Sequence, residues 1–262
     1  MKKQILIALL VAVTVPAVGQ KKPKIKGSKQ VVDVYQSLEP FSAIEVNDNL
    51  EIELTQSASN GYHIKADDNL IDIVKLEVIQ GTLKISTINK IVSSKKLEIE
   101  VTFTDVSSII MRGHSKVISK NKIISDRFNL QAFDDSYFEL DLSTNHGSMV
   151  LNQNSRGELL LRGERSNLVL NDKAYLKGEL AMDNIEITVN KRSDLNLKGE
   201  VTNLKLTASG STDIKAKDLK TTFADLISSN SSDIYVRASK ELKLYAQGKS
   251  YVYVYGNPEI VV

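Results

Sequence analysis

Between Ser107 and Gly256, apolar and polar residues alternate, and the alternation restarts about every 19 residues. Small residues mark each restart: Ser115, Ser136, Ser155, Ala174, Ser193, Thr212, Ser232 and Ser250, with spacings of 21, 19, 19, 19, 19, 20 and 18. Six positions earlier stand Ile109, Leu130, Met149, Leu168, Ile187, Leu206, Leu226 and Leu244, all large and apolar. Positions four before, two after and four after each restart are apolar or small almost throughout. The residue just before it is always polar, from His114 and Asp135 to Ser231 and Lys249. Even offsets inward and odd offsets outward, kept in phase through eight units, predict strands with one buried face. In the unit Leu204–Ala216 this places Leu206, Ala208, Thr212, Ile214 and Ala216 inside.

Such a period predicts an all-β fold, a single-stranded β-helix (β-solenoid) of about eight rungs of about 19 residues. One rung does not stand alone. Ordering each residue's backbone costs about 1–2 kcal/mol, and a fully buried large side chain returns only about 1.5–3. Each strand must therefore pair with the same strand one rung above and below, giving an array on the order of 35 Å long at roughly 4.8 Å per rung. The Ser, Thr and Ala column reads as an inward bend with little room, whose hydroxyls are expected to bond the turned backbone. It is not a row of nucleophiles. The four prolines are Pro16, Pro23, Pro40 and Pro258, so none interrupts residues 41–257.

Residues 30–105 are also strand-like, and the β-solenoid is expected to be preceded by strands continuous with it. Phe41, Ile44, Val46, Leu50, Ile52 and Leu54 fall largely at period two. Leu70–Ile79 is the one stretch with a short helix as an alternative. Leu76–Ile85 reads better as a hairpin turning at Gln80-Gly81.

Residues 1–20 have a charged start (Lys2, Lys3), an apolar run (Ile5–Val15) too short to span a bilayer, and small residues at Ala17-Val18-Gly19. This predicts a signal peptide over 1–19, cleaved before Gln20, with no transmembrane segment afterwards. The chain has no Cys, which excludes disulfides and a lipid-anchored lipoprotein. Losing Lys2 and Lys3 takes the net charge from +2 to 0, so no whole-molecule field attracts nucleic acid. Lys21, Lys22, Lys24, Lys26 and Lys29 form a basic N-terminal tail over residues 20–37, expected to be solvated.

Several segments together resemble the auto-transporter adhesin head GIN domain family, also known as DUF2807. They are Phe41-Ser42-Ala43-Ile44-Glu45-Val46, Ala66-Asp67-Asp68-Asn69-Leu70, Gly81-Thr82-Leu83-Lys84-Ile85, corners such as Ala208-Ser209-Gly210-Ser211, and Tyr255-Gly256-Asn257-Pro258. The resemblance covers residues 38–258 and leaves 259–262 as a C-terminal tail. It implies a right-handed β-helix and a secreted or envelope protein of a Gram-negative bacterium. It implies no catalytic residues and no cofactor. The chain departs from it in keeping few glycine corners: Gly113, Gly210 and Gly248 remain, while Asp134, Asp172, Lys191 and Asn230 replace glycine at four others.

Candidate chemistry lies on the outward positions. Asp194, Asp213 and Asp233 fall on successive rungs, candidate Ca²⁺ ligands or a solvated turn position favouring Asp. Tyr235, Tyr245, Tyr251, Tyr253 and Tyr255 gather on the last two rungs, suited to a glycan, a protein partner or a cross-strand ladder at the end of the array. His63, His114 and His146 lack metal-ligand spacing, and no Ser/His/Asp or phosphate-loop motif occurs. The leading expectation is an exported, non-enzymatic adhesin-like protein of the cell envelope that binds a glycan or an envelope protein. The alternatives are a carbohydrate-active β-helix enzyme (a polysaccharide lyase or hydrolase) and a purely structural envelope protein.

Overall fold

A computed structural model describes residues 22–262, so the signal segment over 1–19 lies outside the described residues. The fold is the β-solenoid that the alternation predicts. Strands Tyr137–Leu151, Arg156–Leu170, Tyr175–Lys191, Asp194–Gly210, Asp213–Asn230 and Asp233–Ala246 stack in parallel. Equivalent residues pair from rung to rung: Met149 with Leu168, Ile187, Leu206 and then Leu226. Those five are all buried, as are Phe138, Leu176, Leu195, Ile214 and Ile234 in the column two after the corner. Gly157 belongs to that column because of Phe138 beneath it. A Cβ on Gly157 would stand 2.1 Å from the Phe138 ring, so one rung supplies bulk and the next none.

Each rung bends twice. One bend is the small-residue corner. The other falls where the pairing ladder breaks at Asp183, Thr202 and Thr222 and two outward residues separate buried Met182 from buried Ile185. A rung thus has a first arm after the corner and a second arm before the next one.

At every corner the residue two before the small one is left-handed: Gly113, Asp134, Gln153, Asp172, Lys191, Gly210, Asn230 and Gly248 have φ between 60° and 116°. For a residue with a Cβ this costs about 1–2 kcal/mol. The side chains that replace glycine offset it by reaching to the preceding rung. Asp134 accepts the Gly113 N–H at 2.8 Å, and Asp172 accepts the Gln153 N–H at 3.2 Å. The turns close through the backbone, with the N–H of Ser136, Ser155 and Ser193 donating to the carbonyls of Phe133, Asn152 and Asn190.

The corner hydroxyls differ from expectation. Ser232 and Ser250 donate to the carbonyls of Ser229 and Gln247 at 2.9 and 3.0 Å, but those of Ser115, Ser136, Ser155, Ser193 and Thr212 are buried with no partner among the described residues. At Ser136, Ser155 and Ser193 the carbonyl three residues back, the one Ser232 and Ser250 reach with their hydroxyls, already accepts the corner's own N–H. The column is therefore selected for size.

The N-terminal part continues the array and then closes it. Ile44 and Val46 pair with Ile109 and Met111, and Ile52 pairs with Val117, so Ala43–Val46 and Glu51–Gln56 form one further rung. Its corner carries left-handed Asp48 (φ 72°) and a buried Leu50. Thr82–Thr87 and Leu97–Phe103 pair in parallel with Ala43–Val46 and Glu51–Gln56, and beyond them the pairing turns antiparallel. Val31–Ser37 runs against Gly61–Asp67, which runs against Leu97–Phe103. Val74–Ile79 and Thr82–Thr87 form the hairpin through left-handed Gln80 and Gly81, and the helix is only Asp68–Ile71.

The basic tail is not solvated throughout. Lys24–Lys26 pairs with Lys90–Ser93, and Val31–Ser37 is a strand, because Ile25 packs on the core and Val31 and Val34 are half-buried. At the other end Glu259–Val261, assigned to the C-terminal tail, pairs with Glu241, Leu242 and Lys243.

Asp67 holds the N-terminal closure together. It is fully buried, and its carboxylate accepts the N–H groups of Lys29, Lys95 and Lys96 at 3.1, 3.0 and 3.1 Å. The Lys95 N–H, followed by those of Lys29 and Lys96, holds the carboxyl below its usual range, against the opposing effect of burial. The neighbouring Asn69 accepts the Ser28 N–H and donates to the Lys26 carbonyl, both within 2.9 Å.

Two outcomes follow from this packing. Leu206→Asp, which places a charge among buried residues, is expected to cost 4 kcal/mol or more, roughly, and Lys205→Gln on the exposed face about 0–1. Equal losses in urea unfolding would mean that inward and outward columns are exchanged. A depressed carboxyl pKa stabilises the fold above the unfolded value of about 3.9 and ceases to as pH falls through the folded value. Asp67→Asn should therefore lower the thermal midpoint at neutral pH, with the gap from the parent closing in acid; a gap independent of pH would refute the role given to this carboxylate.

Candidate functional site

The last two rungs carry the aromatic surface. Tyr251–Gly256 lies on the first arm of Asp233–Ala246, pairing Tyr251 with Asp233, Tyr253 with Tyr235, and Tyr255 with Arg237. Alternation turns Tyr251, Tyr253 and Tyr255 outward, 62%, 47% and 37% exposed. Stacked register sets the Tyr235 and Tyr253 rings nearly parallel, with centroids 4.6 Å apart and planes 9° apart. Burial in this stack, then the negative groups around it, Asp213 and Asp233 among them, push the Tyr235 phenol up. Tyr245 is not part of the group. It pairs with Ile227 on the second arm, beyond the second bend, and is 61% exposed there. Five outward tyrosines in sequence become four together and one apart.

The carboxylate column adjoins the four. Asp194 pairs with Asp213, Asp213 with Asp233, and Asp233 with Tyr251, so the acidic ladder runs directly into the tyrosines. Its repulsion is relieved locally. Lys215 donates to Asp213 at 2.8 Å, which holds the lysine's pKa up, and the Asp213 N–H donates to Asp194 at 3.2 Å. Among the described residues no three His, Cys, Asp or Glu side chains converge in metal-ligand geometry. The three histidines are far apart in the fold. His63 stacks on Tyr35 at 4.0 Å and meets Asp33 at 2.8 Å in the N-terminal closure, His114 faces Asp135 at a corner, and His146 lies on the second arm.

The second arms form a groove that the sequence reading did not single out. It encloses about 430 Å³ and runs from His146 past Arg165, Asn184, Asn203 and Phe223 to Lys243. Its signal in the sequence is faint: Asn184 and Asn203 recur 19 apart, and only the register shows that they stack, Asn203 Nδ2 donating to Asn184 Oδ1 at 3.0 Å.

Fold and surface define a class: a stacked-rung β-solenoid whose exposed tyrosines and carboxylates stand in outward columns. The chain belongs to the family described as "Putative auto-transporter adhesin, head GIN domain" (DUF2807), which matches residues 40–258. Three solved structures share the fold. A putative adhesin from Parabacteroides merdae ATCC 43184 is 12% identical with a TM-score of 0.67, covering 92% of this chain and 100% of its own. A putative lipid binding protein from Parabacteroides distasonis ATCC 8503 is 20% identical with a TM-score of 0.63, covering 91% and 94%. A putative adhesin from the same strain is 16% identical with a TM-score of 0.58, covering 91% and 100%. At these identities the likeness is one of fold. No curated protein matches the chain. No helix among the described residues is long and apolar enough to cross a membrane.

The carboxylate geometry gives a direct test. With Lys215 on Asp213 and no third ligand converging, millimolar Ca²⁺ should leave the thermal midpoint unchanged and give no calorimetric binding signal. A rise in midpoint that Asp213→Asn abolishes would restore the column as a metal site.

Proposed function

We propose that the protein is an exported, non-enzymatic adhesin-like protein of the bacterial cell envelope, presenting its solenoid surface to a glycan or protein partner. The observation that carries this reading is the stripe of Tyr235, Tyr251, Tyr253 and Tyr255 on the last two rungs. Exposed tyrosines offer large apolar faces with a hydroxyl at the tip and lose little rotamer freedom on binding, which makes them frequent contact residues. The family's adhesin-like character supports the same reading. A polysaccharide hydrolase needs two carboxyl groups placed as acid and as base or nucleophile. Here Asp213 is engaged by Lys215, and Asp194 accepts a backbone N–H. The charged start, short apolar run and small residues over 1–19, read as a signal peptide, support export.

A cross-linked pull-down from a cell-envelope fraction tests the proposal. The parent protein should capture a partner, and Tyr251→Ser with Tyr253→Ser should lose it by ten-fold or more while melting normally. Polysaccharide degradation by the purified protein, with no partner captured, would overturn it. The exported protein should begin at Gln20 on N-terminal sequencing, and a retained Met1 would overturn export by cleavage.

A further inference from the structure

We infer that the second-arm groove is a binding site for an uncharged linear glycan, separate from the tyrosine stripe. The inference rests on the reading of the protein as a binding module and adds to it a site and a ligand class. The groove crosses six rungs, from His146 to Lys243, so its lining runs along one axis for about 24 Å, with His146, Arg165, Asn184, Asn203, Phe223 and Glu241 in one column. A ligand that follows this column must be extended along that line.

Charge selects within that class. Lys205 is paired with Glu186 at 2.8 Å and Lys243 with Glu241 at 3.3 Å. The remaining Arg165 and Asp225 carry opposite signs and stand three rungs apart. The charges of the lining therefore sum to zero, with Lys240 standing beside it over the Phe223 ring, so the lining carries no excess charge of one sign to select an ionic polymer. Its neutral groups match a polyhydroxylated one. The hydrogen bond between Asn203 and Asn184 uses one group of each amide, leaving Asn184 Nδ2 and Asn203 Oδ1 without partners among the described residues. One donor and one acceptor on adjacent rungs are what neighbouring hydroxyls take up. Beside them Phe223 is 39% exposed, with Lys240 Nζ over its ring at 5.7 Å from the centroid, so the ring offers its remaining exposed surface to the C–H face of a sugar, and buried Ile185 and Leu204 form the floor.

A glycan array containing neutral and acidic linear glycans, read with the full chain and with variants, decides the matter. The parent should retain neutral linear glycans, as free oligosaccharide and as polymer. Phe223→Ala should weaken binding roughly ten-fold. Asn203→Ala should weaken it similarly, and both variants should melt like the parent. Lys177→Gln, on the exposed first arm outside both surfaces, should leave glycan affinity unchanged. Preference for acidic glycans would overturn the inference, as would loss of binding in Tyr251→Ser with Tyr253→Ser and not in Phe223→Ala. A blank array with a protein captured through the tyrosine stripe would overturn the groove and leave the binding-module reading standing. A blank array with nothing captured would overturn both.

Discussion

The structure depends on one interaction repeated along its length, the parallel backbone hydrogen bond from each rung to the next at constant register. A parallel ladder places every residue over its equivalent about 4.8 Å away. Side chains are then chosen by column. Inward columns fill with Leu, Ile and Val, relieved by a glycine where Phe138 needs space. Corner columns are small, and the carbonyls beside them are taken by the next rung. Left-handed corner residues are tolerated because their side chains can join the ladder one rung back.

Constant register has an electrostatic consequence as well. Like charges in one column would stand a rung apart, so opposite charges recur on consecutive rungs instead. Glu158 meets Lys177, Glu179 meets Lys198, Glu186 meets Lys205, and Glu200 meets Lys220, at 2.7 to 3.0 Å. Exposed pairs of this kind contribute only about 0–1 kcal/mol each. Their effect is to remove repulsion that stacking would otherwise impose. Asn152, Asn171 and Asn190 solve the same problem without charge, each amide donating to the one before at 2.9 Å. The acidic ladder Asp194–Asp213–Asp233 departs from this pattern, as do Glu139 beside Glu158 and Glu241 beside Glu259, and the ladder borders the tyrosines.

The two ends are built differently. At the N-terminal end antiparallel strands and the buried Asp67 close the array, which protects the edge from further pairing. At the other end Val252 and Val254, whose equivalents Ile234 and Val236 are buried, are half-exposed. The aromatic stripe sits there, on a sparsely covered part of the sheet. Surface chemistry is thus distributed along the outward columns of the stacked rungs.

The amino-acid sequence by itself determined which residues face in and which face out. Period-two alternation carries that information locally, and eight repetitions such as Ile187, Leu206 and Leu226 remove the ambiguity of any single strand. It also determined the stacking of Asp194 on Asp213 and of Tyr235 near Tyr253, because equal offsets in successive repeats must superimpose. Three things were decided only in the tertiary structure. The second bend separates Tyr245 from the other tyrosines and creates the groove through Asn203 and Phe223, yet its residues Asp183, Thr202 and Thr222 have no shared chemistry to announce it. The hydroxyls of Ser136, Ser155 and Ser193 have no expected bond because the carbonyl three residues back is taken by the corner's own N–H. The role of Asp67 depends on N–H groups from Lys29, Lys95 and Lys96, up to 38 residues away in the chain. Local periodicity records which face a residue takes; which faces meet depends on chain reversals and on donors brought from distant segments.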